Sequence, residues 1–282
     1  MTSLPQARRF DWSNLGLRVA SAALLAPAAI AAVWFFDPDQ PFLLRAPFLL
    51  MVTVAAALMC IEWGMMVAPK ASARVAAVMT VFVVGVVLLT YDRLTFDAFA
   101  CIGAGALAAA LVSRGHTARV VDAAYGVLYI APACLAIVWL RDTLQGRGWT
   151  IMLLSTTWAA DIGAFVVGNA LKGPKLWPRF SPNKTWSGFI GGLTFSVLAA
   201  VSVAHWLMHL SLTGAALIGF LGGLATMMGD LWESMLKRRF GVKDSGDLIP
   251  GHGGLLDRVD GLMFATVVFA AARLVVRYGW AH

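Results

Sequence analysis

The sequence predicts an all-α polytopic integral membrane protein with about nine transmembrane helices, in a range of about eight to ten. The 282 residues are 60% hydrophobic and 13% charged, and the mean hydropathy is +0.76, outside the range of a soluble globular domain. Apolar stretches of about 20 residues recur, which is the length that a helix needs to cross the hydrocarbon core. The stretches lack the alternating pattern of barrel strands, so helices are favoured.

Nine apolar stretches are predicted as spans. The first is followed by no clear small-residue cleavage site, so we predict a retained span rather than a secretory signal. The three cysteines lie inside apolar stretches without ligand spacing, which predicts packing roles rather than a disulfide or a metal site. The predicted spans are 17–36, 43–67, 74–90, 98–113, 120–140, 149–170, 188–208, 212–231 and 261–280.

The basic residues are divided unequally between the two sides of the membrane. With alternating spans, sixteen Lys and Arg fall on the side of the N-terminus and six on the other, which accounts for all 22. The positive-inside rule therefore places the N-terminus and both long polar loops in the cytoplasm, for a chain integral to a bacterial-type inner (plasma) membrane. Topology thus explains the net charge of +7, and nucleic acid is not predicted as a partner.

The chain is predicted as one membrane domain, 1–282, without an internal repeat. Residues 1–148 are spans joined by short loops. Residues 149–282 are the half that carries the chemistry, with two long cytoplasmic loops at 171–187 and 237–260.

Two acids lie inside predicted spans. Glu62, with Trp63 beside it, is near the cytoplasmic end of the second span, where the simplest interpretation is a snorkelling acid next to an interfacial aromatic anchor. Asp161 lies about 18 Å into the sixth span at about 1.5 Å per residue, past the midplane on the cytoplasmic side. A carboxylate at this depth faces either a partner on a neighbouring helix or a polar cavity, and the cavity is favoured.

Charge is most concentrated between 230 and 260. This segment holds eleven of the chain's 22 basic and 15 acidic residues. Asp230, Glu233, Ser234 and Lys237 would share one helix face at the end of the eighth span. An ordinary helix salt bridge explains Glu233 and Lys237, but Asp230 is two turns from Lys237 and lacks that explanation.

Acids at the end of the eighth span and the start of the ninth predict a cation site. Asp257 and Asp260 open the last span at i and i+3, with Arg258 between them. Mg²⁺ normally takes one or two carboxylates and substrate phosphates rather than a full protein cage. Asp230 and Asp257 are therefore predicted to share a Mg²⁺ ion.

Bases, small hydroxyls and glycines in both loops are typical of phosphate binding. Glycine-rich backbone can approach a ligand closely and offer N–H groups to an anion. His252 stands between glycines without large neighbours, which favours a functional role over a packed one. Taken singly, each base is also explained as a topological charge. The residues concerned are Lys172, Ser181, Lys184, Thr185, Arg238, Lys243, Gly253 and Gly254.

The second loop resembles a known family signature. The C-terminal signature of the phosphatidate cytidylyltransferases, also called CDP-diacylglycerol synthases, is similar without a mismatch to Ser234-x-Leu236-Lys237-Arg238-x4-Lys243-Asp244-x-Gly246-x2-Ile249-Pro250-x-His252-Gly253-Gly254-Leu255-x-Asp257-Arg258-Val259-Asp260. The family's second conserved stretch resembles Asp161-Ile-Gly-Ala-Phe-x-x-Gly168 and Ser181-Pro-Asn-Lys184-Thr185-Trp186. This chain has Ser187 where the family usually has Glu.

The resemblance implies a membrane enzyme that joins CTP and phosphatidic acid into CDP-diacylglycerol, releases pyrophosphate and requires Mg²⁺. Membrane lipids surround it, and assembly into a homo-oligomer is compatible with the sequence. The implied catalytic residues are Asp230, Asp257, Lys237, His252 and Arg258. The implied substrate-binding residues are Lys172, Ser181, Lys184, Thr185, Ser234, Arg238, Lys243, Asp244, Gly253 and Gly254. The implied metal ligands are Asp230 and Asp257, with Asp161 and Asp260 orienting cations or holding a second ion.

Two other classes of protein share parts of this pattern. Transporters also have many spans with intramembrane acids, but they are expected to have repeats and charges near the midplane, whereas most charge here lies at one face. CDP-alcohol phosphotransferases use an Asp-x-x-Asp-Gly motif that Asp257 to Gly261 matches. The further aspartates of that motif are absent after Gly261.

Overall fold

The computed structural model describes residues 24, 26–35, 42–117, 119–178, 181–208, 210–246 and 253–279. This part contains nine helices and one two-stranded sheet, and eight of the helices are long and apolar enough to cross a membrane. The predicted class, an all-α polytopic integral membrane protein, is confirmed. The helices are α1 (Ala26–Phe35), α2 (Phe42–Val67), α3 (Ser72–Tyr91), α4 (Thr95–Val112), α5 (Val120–Asp142), α6 (Gly146–Leu171), α7 (Trp186–Leu207), α8 (Leu212–Arg239) and α9 (Leu256–Gly279).

The second polar loop is shorter than the sequence predicts. Helix α8 continues to Arg239 and α9 already begins at Leu256, so the connection covers 240–255 rather than 237–260. Three bases occupy the last turn of α8 and Asp257 occupies the first turn of α9. Both placements are favourable to the helix dipole, which explains why charged residues extend these helices instead of ending them.

The first polar loop contains a hairpin. Strands β1 (Lys175–Trp177) and β2 (Ser181–Thr185) are antiparallel, with Lys175 opposite Thr185 and Trp177 opposite Ser181. Gly173 enters the hairpin at a φ of 110°, a conformation that favours glycine. The hairpin returns the chain directly to α7, so its residues lie next to the ends of α6 and α7.

Glycines let α6 approach α7 and let α8 approach α9. A Cβ atom at Gly163 on α6 would lie 2.6 Å from Cγ of Phe195 and 2.8 Å from the carbonyl oxygen of Gly191 on α7. A Cβ atom at Gly229 on α8 would lie 3.0 Å from Cα of Gly261 on α9. Small residues at such contacts allow backbones to pack directly in a membrane. This packing draws together the helices that carry the acids noted in the sequence.

The N-terminal and C-terminal halves share one hydrophobic core. Trp63 and Met79 belong to the same buried cluster as Leu236 of α8 and Leu256 of α9. The Trp63 side chain is 1% exposed, and its Nε1 donates a hydrogen bond of 3.0 Å to the carbonyl oxygen of Asp122 on α5. The interpretation of Trp63 as an interfacial anchor is therefore wrong, because the indole is buried between helices.

Candidate active site

Acids from three helices lie near one another. Three carboxyl groups lie close enough to interact electrostatically with one another, those of Asp161 on α6, Asp230 on α8 and Asp260 on α9. Asp161 is also within range of the charges of Lys184 and Arg258. Residues far apart in the sequence thus form one polar site, and Asp161 belongs to it rather than to a pair with one neighbouring helix.

The hairpin carries a base to this site. Nζ of Lys184 on β2 forms an ion pair with Oδ2 of Asp230, and the two side chains are 29% and 38% exposed. Partly exposed ion pairs contribute little stability, so the pair can open at small cost when a phosphate approaches. Lys184 was predicted to bind substrate, and its position beside Asp230 is compatible with that role.

Two hydroxyls of the hairpin are engaged in local structure. Oγ1 of Thr185 accepts a hydrogen bond of 3.2 Å from the Gly188 N–H and so caps the N-terminus of α7. The Ser187 hydroxyl lies 3.1 Å from Oγ1 of Thr185 and donates to the carbonyl oxygen of Lys172. The cap uses the Thr185 hydroxyl that was predicted to bind substrate. Lys172 is exposed and Ser181 is half-buried on β2, and their substrate contacts stay predictions.

Asp257 connects α8, α9 and the loop between them. Its Oδ1 forms an ion pair with Nζ of Lys237, which also lies 3.3 Å from Oε2 of Glu233. Its Oδ2 accepts hydrogen bonds from the N–H of Ser245 at 3.0 Å, the Ser245 hydroxyl at 3.0 Å and the N–H of Gly254 at 3.2 Å. Both carboxylate oxygens therefore have partners, and Lys237 links the two helices by its charge.

Glu62 lies against the same loop, although it belongs to α2. Its side chain is fully buried, and its carboxylate accepts hydrogen bonds from the N–H of Leu255 at 2.6 Å, the N–H of Leu256 at 2.8 Å and the Ser245 hydroxyl at 3.2 Å. The interpretation of Glu62 as a snorkelling acid is wrong. One signal was available in the sequence, since Glu62 has no Lys or Arg within seven positions and an acid in a span needs a partner.

The carboxylate oxygens of this site are of the chemical type that Mg²⁺ prefers. Oε1 of Glu233 is buried and accepts no hydrogen bond from a described residue, while the Asp260 carboxyl lies within hydrogen-bonding range of Glu233. Two carboxyl groups this close share either a proton or a cation, and carboxylate oxygens are ligands that Mg²⁺ prefers. Among the described residues, no group of three or more His, Cys, Asp or Glu is arranged to hold a metal ion. The sharing of one ion by Asp230 and Asp257 stays a prediction.

The other predicted residues lie around these acids. Arg238 is exposed in the last turn of α8, and Lys243 and Asp244 are exposed in the loop that follows. Gly253 has a φ of 79°, which favours glycine. His252 lies outside the described residues. Ser234 is half-buried on α8 and Arg258 is exposed on α9.

An apolar cavity adjoins the site. It has a volume of about 520 Å³ and lies between α1, α2, α5, α6 and α9. Its lining is mostly aliphatic, and Asp161 and Arg258 are the charged residues among its described lining. The arrangement thus offers an apolar space beside a cluster of acids and bases.

Comparison with known proteins gives consistent results. The profile of the cytidylyltransferase family matches residues 16–276. A phosphatidate cytidylyltransferase of Brucella suis is 36% identical over 270 residues, which cover 95% of this chain and 94% of that protein. One of Pseudomonas aeruginosa is 41% identical over 161 residues, 55% of this chain and 57% of that protein. One of Staphylococcus epidermidis is 37% identical over 145 residues, 51% of this chain and 56% of that protein.

Proposed function

The chain belongs to the cytidylyltransferase family, and we propose that it transfers the cytidylyl group of CTP to phosphatidic acid, forming CDP-diacylglycerol and releasing pyrophosphate. The observation that carries this proposal is the meeting of acids and bases from α6, the hairpin, α8 and α9 beside an apolar cavity. One substrate is a polyanion and the other joins a phosphate to acyl chains. A site with phosphate-binding groups at the edge of an apolar space suits both.

The reaction is a displacement at the α-phosphorus of CTP. A phosphate oxygen of phosphatidate, already anionic, forms the new bond, and the bond from the α-phosphorus to the pyrophosphate oxygen breaks. A strong general base is not required, and the main task is to bring two anions together. Lys237, Arg238, Lys243 and Arg258 are the bases proposed to hold phosphate oxygens, and His252 is proposed to donate a proton to the leaving pyrophosphate.

We propose Mg²⁺ as the cofactor, held by Asp230 and Asp257, with Asp161 and Asp260 orienting the bases or holding a second cation. When bound, Mg²⁺ would neutralise negative charge on the α-phosphate and pyrophosphate oxygens. Lys184 forms an ion pair with Asp230, and Lys237 forms one with Asp257. If the two acids held Mg²⁺, the ammonium groups of Lys184 and Lys237 would be free to contact phosphate oxygens of the substrates.

We propose that the site faces the cytoplasm from an inner (plasma) membrane, and the division of Lys and Arg between the two sides supports this orientation. Single cysteines at Ser181 on the hairpin and at Leu144, which is 82% exposed between α5 and α6, test it in a chain whose three cysteines are replaced. In intact cells an impermeant thiol reagent should label Leu144→Cys and leave Ser181→Cys unlabelled until lysis. Labelling of Ser181→Cys in intact cells would overturn the proposed orientation.

An assay with two labels tests the activity itself. The purified full-length chain in detergent receives phosphatidate and Mg²⁺ with CTP labelled at either the α- or the γ-phosphate. The α-label should enter the lipid and the γ-label should leave in pyrophosphate. Diacylglycerol without a phosphate is the matched control and should accept neither. A γ-label in the lipid would contradict cytidylyl transfer, and so would the absence of any labelled lipid from folded protein.

A further inference from the structure

We propose that Glu62 is a positioning residue of the active site, supplied by the N-terminal half of the chain. In this role Glu62 holds the loop before α9 and the first turn of α9, so that Asp257 stays opposite Lys237. The effect on turnover rests on the proposed function. The anchoring of the loop does not rest on it, and the two can be measured separately.

The first turn of α9 takes its cap from another helix. The N–H groups at the start of a helix have no acceptor within that helix. Those of Leu255 and Leu256, at 2.6 and 2.8 Å, are satisfied by the Glu62 carboxylate, 193 and 194 positions earlier in the chain. A carboxylate at this end also interacts favourably with the helix dipole. The position of α9 relative to α2 is therefore fixed by a charged group at the point where α9 begins.

Ser245 extends this contact to Asp257. Its hydroxyl lies 3.2 Å from Oε2 of Glu62 and 3.0 Å from Oδ2 of Asp257, and its N–H donates to the same Asp257 oxygen at 3.0 Å. A serine hydroxyl has one hydrogen, so the two acids compete for it. A displacement of Glu62 would therefore disturb the hydrogen bonds of Ser245, and through Ser245 those of Asp257.

Two glycines of the loop lie directly against Glu62. A Cβ atom at Gly246 would lie 3.2 Å from Cγ of Glu62, and one at Gly254 would overlap Oγ of Ser245 and lie 3.0 Å from Oε2 of Glu62. Both distances are tighter than ordinary van der Waals contact. Because these two positions carry no side chain, Gly246 can lie against Glu62 and Gly254 can lie against Glu62 and Ser245.

In the part of the chain that the structure describes, dipoles rather than a cation hold the charge of Glu62. Its hydrogen-bond donors among the described residues are backbone N–H groups and a hydroxyl, and its side chain is fully buried. Burying a carboxylate is costly unless its hydrogen bonds are made. Glutamine keeps the shape of the side chain but turns an NH₂ group toward donors, so it should loosen the contact without leaving a void.

The first test compares Glu62→Gln with the intact full-length chain. Because small displacements of catalytic groups are costly, kcat should fall by about tenfold or more. The KM for CTP should change far less, and the Mg²⁺ concentration for half-maximal rate should rise, since Asp257 is displaced. The control is Arg141→Met. Arg141 is also buried. It lies in the last turn of α5, at the other end of that helix from Asp122, and its guanidinium donates to the carbonyl oxygen of Val33 on α1. It should lower thermal stability and leave the Mg²⁺ concentration for half-maximal rate unchanged.

The second test needs no activity. Hydrogen–deuterium exchange of peptides covering 243–258 should be faster in Glu62→Gln and unchanged in Arg141→Met. Unchanged exchange, or faster exchange with wild-type kcat and Mg²⁺ dependence, would overturn the positioning role. If Glu62→Gln fails to fold, Ser245→Ala replaces it and should give a smaller loss of kcat in the same direction; a wild-type kcat there would also overturn it. A wild-type chain that makes no lipid product would instead refute the proposed function, and the exchange result would still decide the anchoring.

Discussion

Glu62 in the N-terminal half and Asp257 in the C-terminal half lie on either side of Ser245, yet their carboxylates have different partners. Glu62 is held by backbone N–H groups and the Ser245 hydroxyl, whereas Asp257 also has the ammonium group of Lys237. Backbone donors are fixed once the helices have packed. A lysine side chain can move to a substrate phosphate. We therefore expect the N-terminal half to supply fixed geometry and the C-terminal half to supply the groups that rearrange during the reaction.

The largest effect is expected from acids of the C-terminal half. Asp230→Asn and Asp257→Asn keep the shape of the side chain and remove its charge, and each should lower activity by about 100-fold or more because transition-state electrostatics are lost. Each should also raise the Mg²⁺ concentration needed for half-maximal rate. The double variant should lose far less than the product of the two effects, since groups that act as a unit are not additive.

The matched control for these variants is Asp97→Asn, an exposed acid in the first turn of α4 in the N-terminal half. Its turnover and Mg²⁺ dependence should equal those of the wild type. Normal turnover in Asp230→Asn or Asp257→Asn, in correctly inserted protein, would remove that residue from the site and assign the metal to Asp161 or Asp260. That result would contradict the assignment of the reacting groups to these two acids of the C-terminal half.

A smaller effect is expected at the hairpin, where Ser187 replaces the acid that the resembled family usually has. Ser187 lies in the first turn of α7, and its hydroxyl bonds to Lys172 and lies beside Thr185. An acid in a first helical turn is favourable to the helix dipole. Ser187→Glu should therefore change turnover by less than about tenfold, or 1.4 kcal/mol. A larger gain in steady-state turnover would show that position 187 takes part in the reaction.

The smallest effect on activity is expected for a buried contact of the N-terminal half. Trp63→Phe removes the hydrogen bond to Asp122 and should lower stability by about 1 kcal/mol, with turnover per folded molecule unchanged. Thermal unfolding in detergent measures the first quantity and the CTP assay the second. Trp206→Phe on α7, where the ring is 80% exposed, is the matched control and should change neither. A loss of turnover in Trp63→Phe would extend the positioning role beyond Glu62.

The sequence by itself determined the membrane class and the approximate spans, and it predicted the residues of the candidate site. Spans are readable because the hydrocarbon core imposes a length and a composition on each helix separately. The polar run from Ser234 to Asp260 is readable because charged residues are rare elsewhere in an apolar chain. These signals are local, so they need no knowledge of how the helices pack.

Only the tertiary structure decided how the acids are paired. Lys184 meets Asp230 because the hairpin folds toward α8, and Glu62 meets Leu255 and Leu256 although nearly two hundred residues separate them. No local pattern fixes such contacts, because helix packing between distant segments sets them. The ends of α8 and α9 likewise differ from the predicted loop bounds, because charged residues that stabilise helix ends have the same composition as loop residues. For the same reason the sequence predicts Glu62 as a snorkelling acid, whereas the structure buries it against the start of α9.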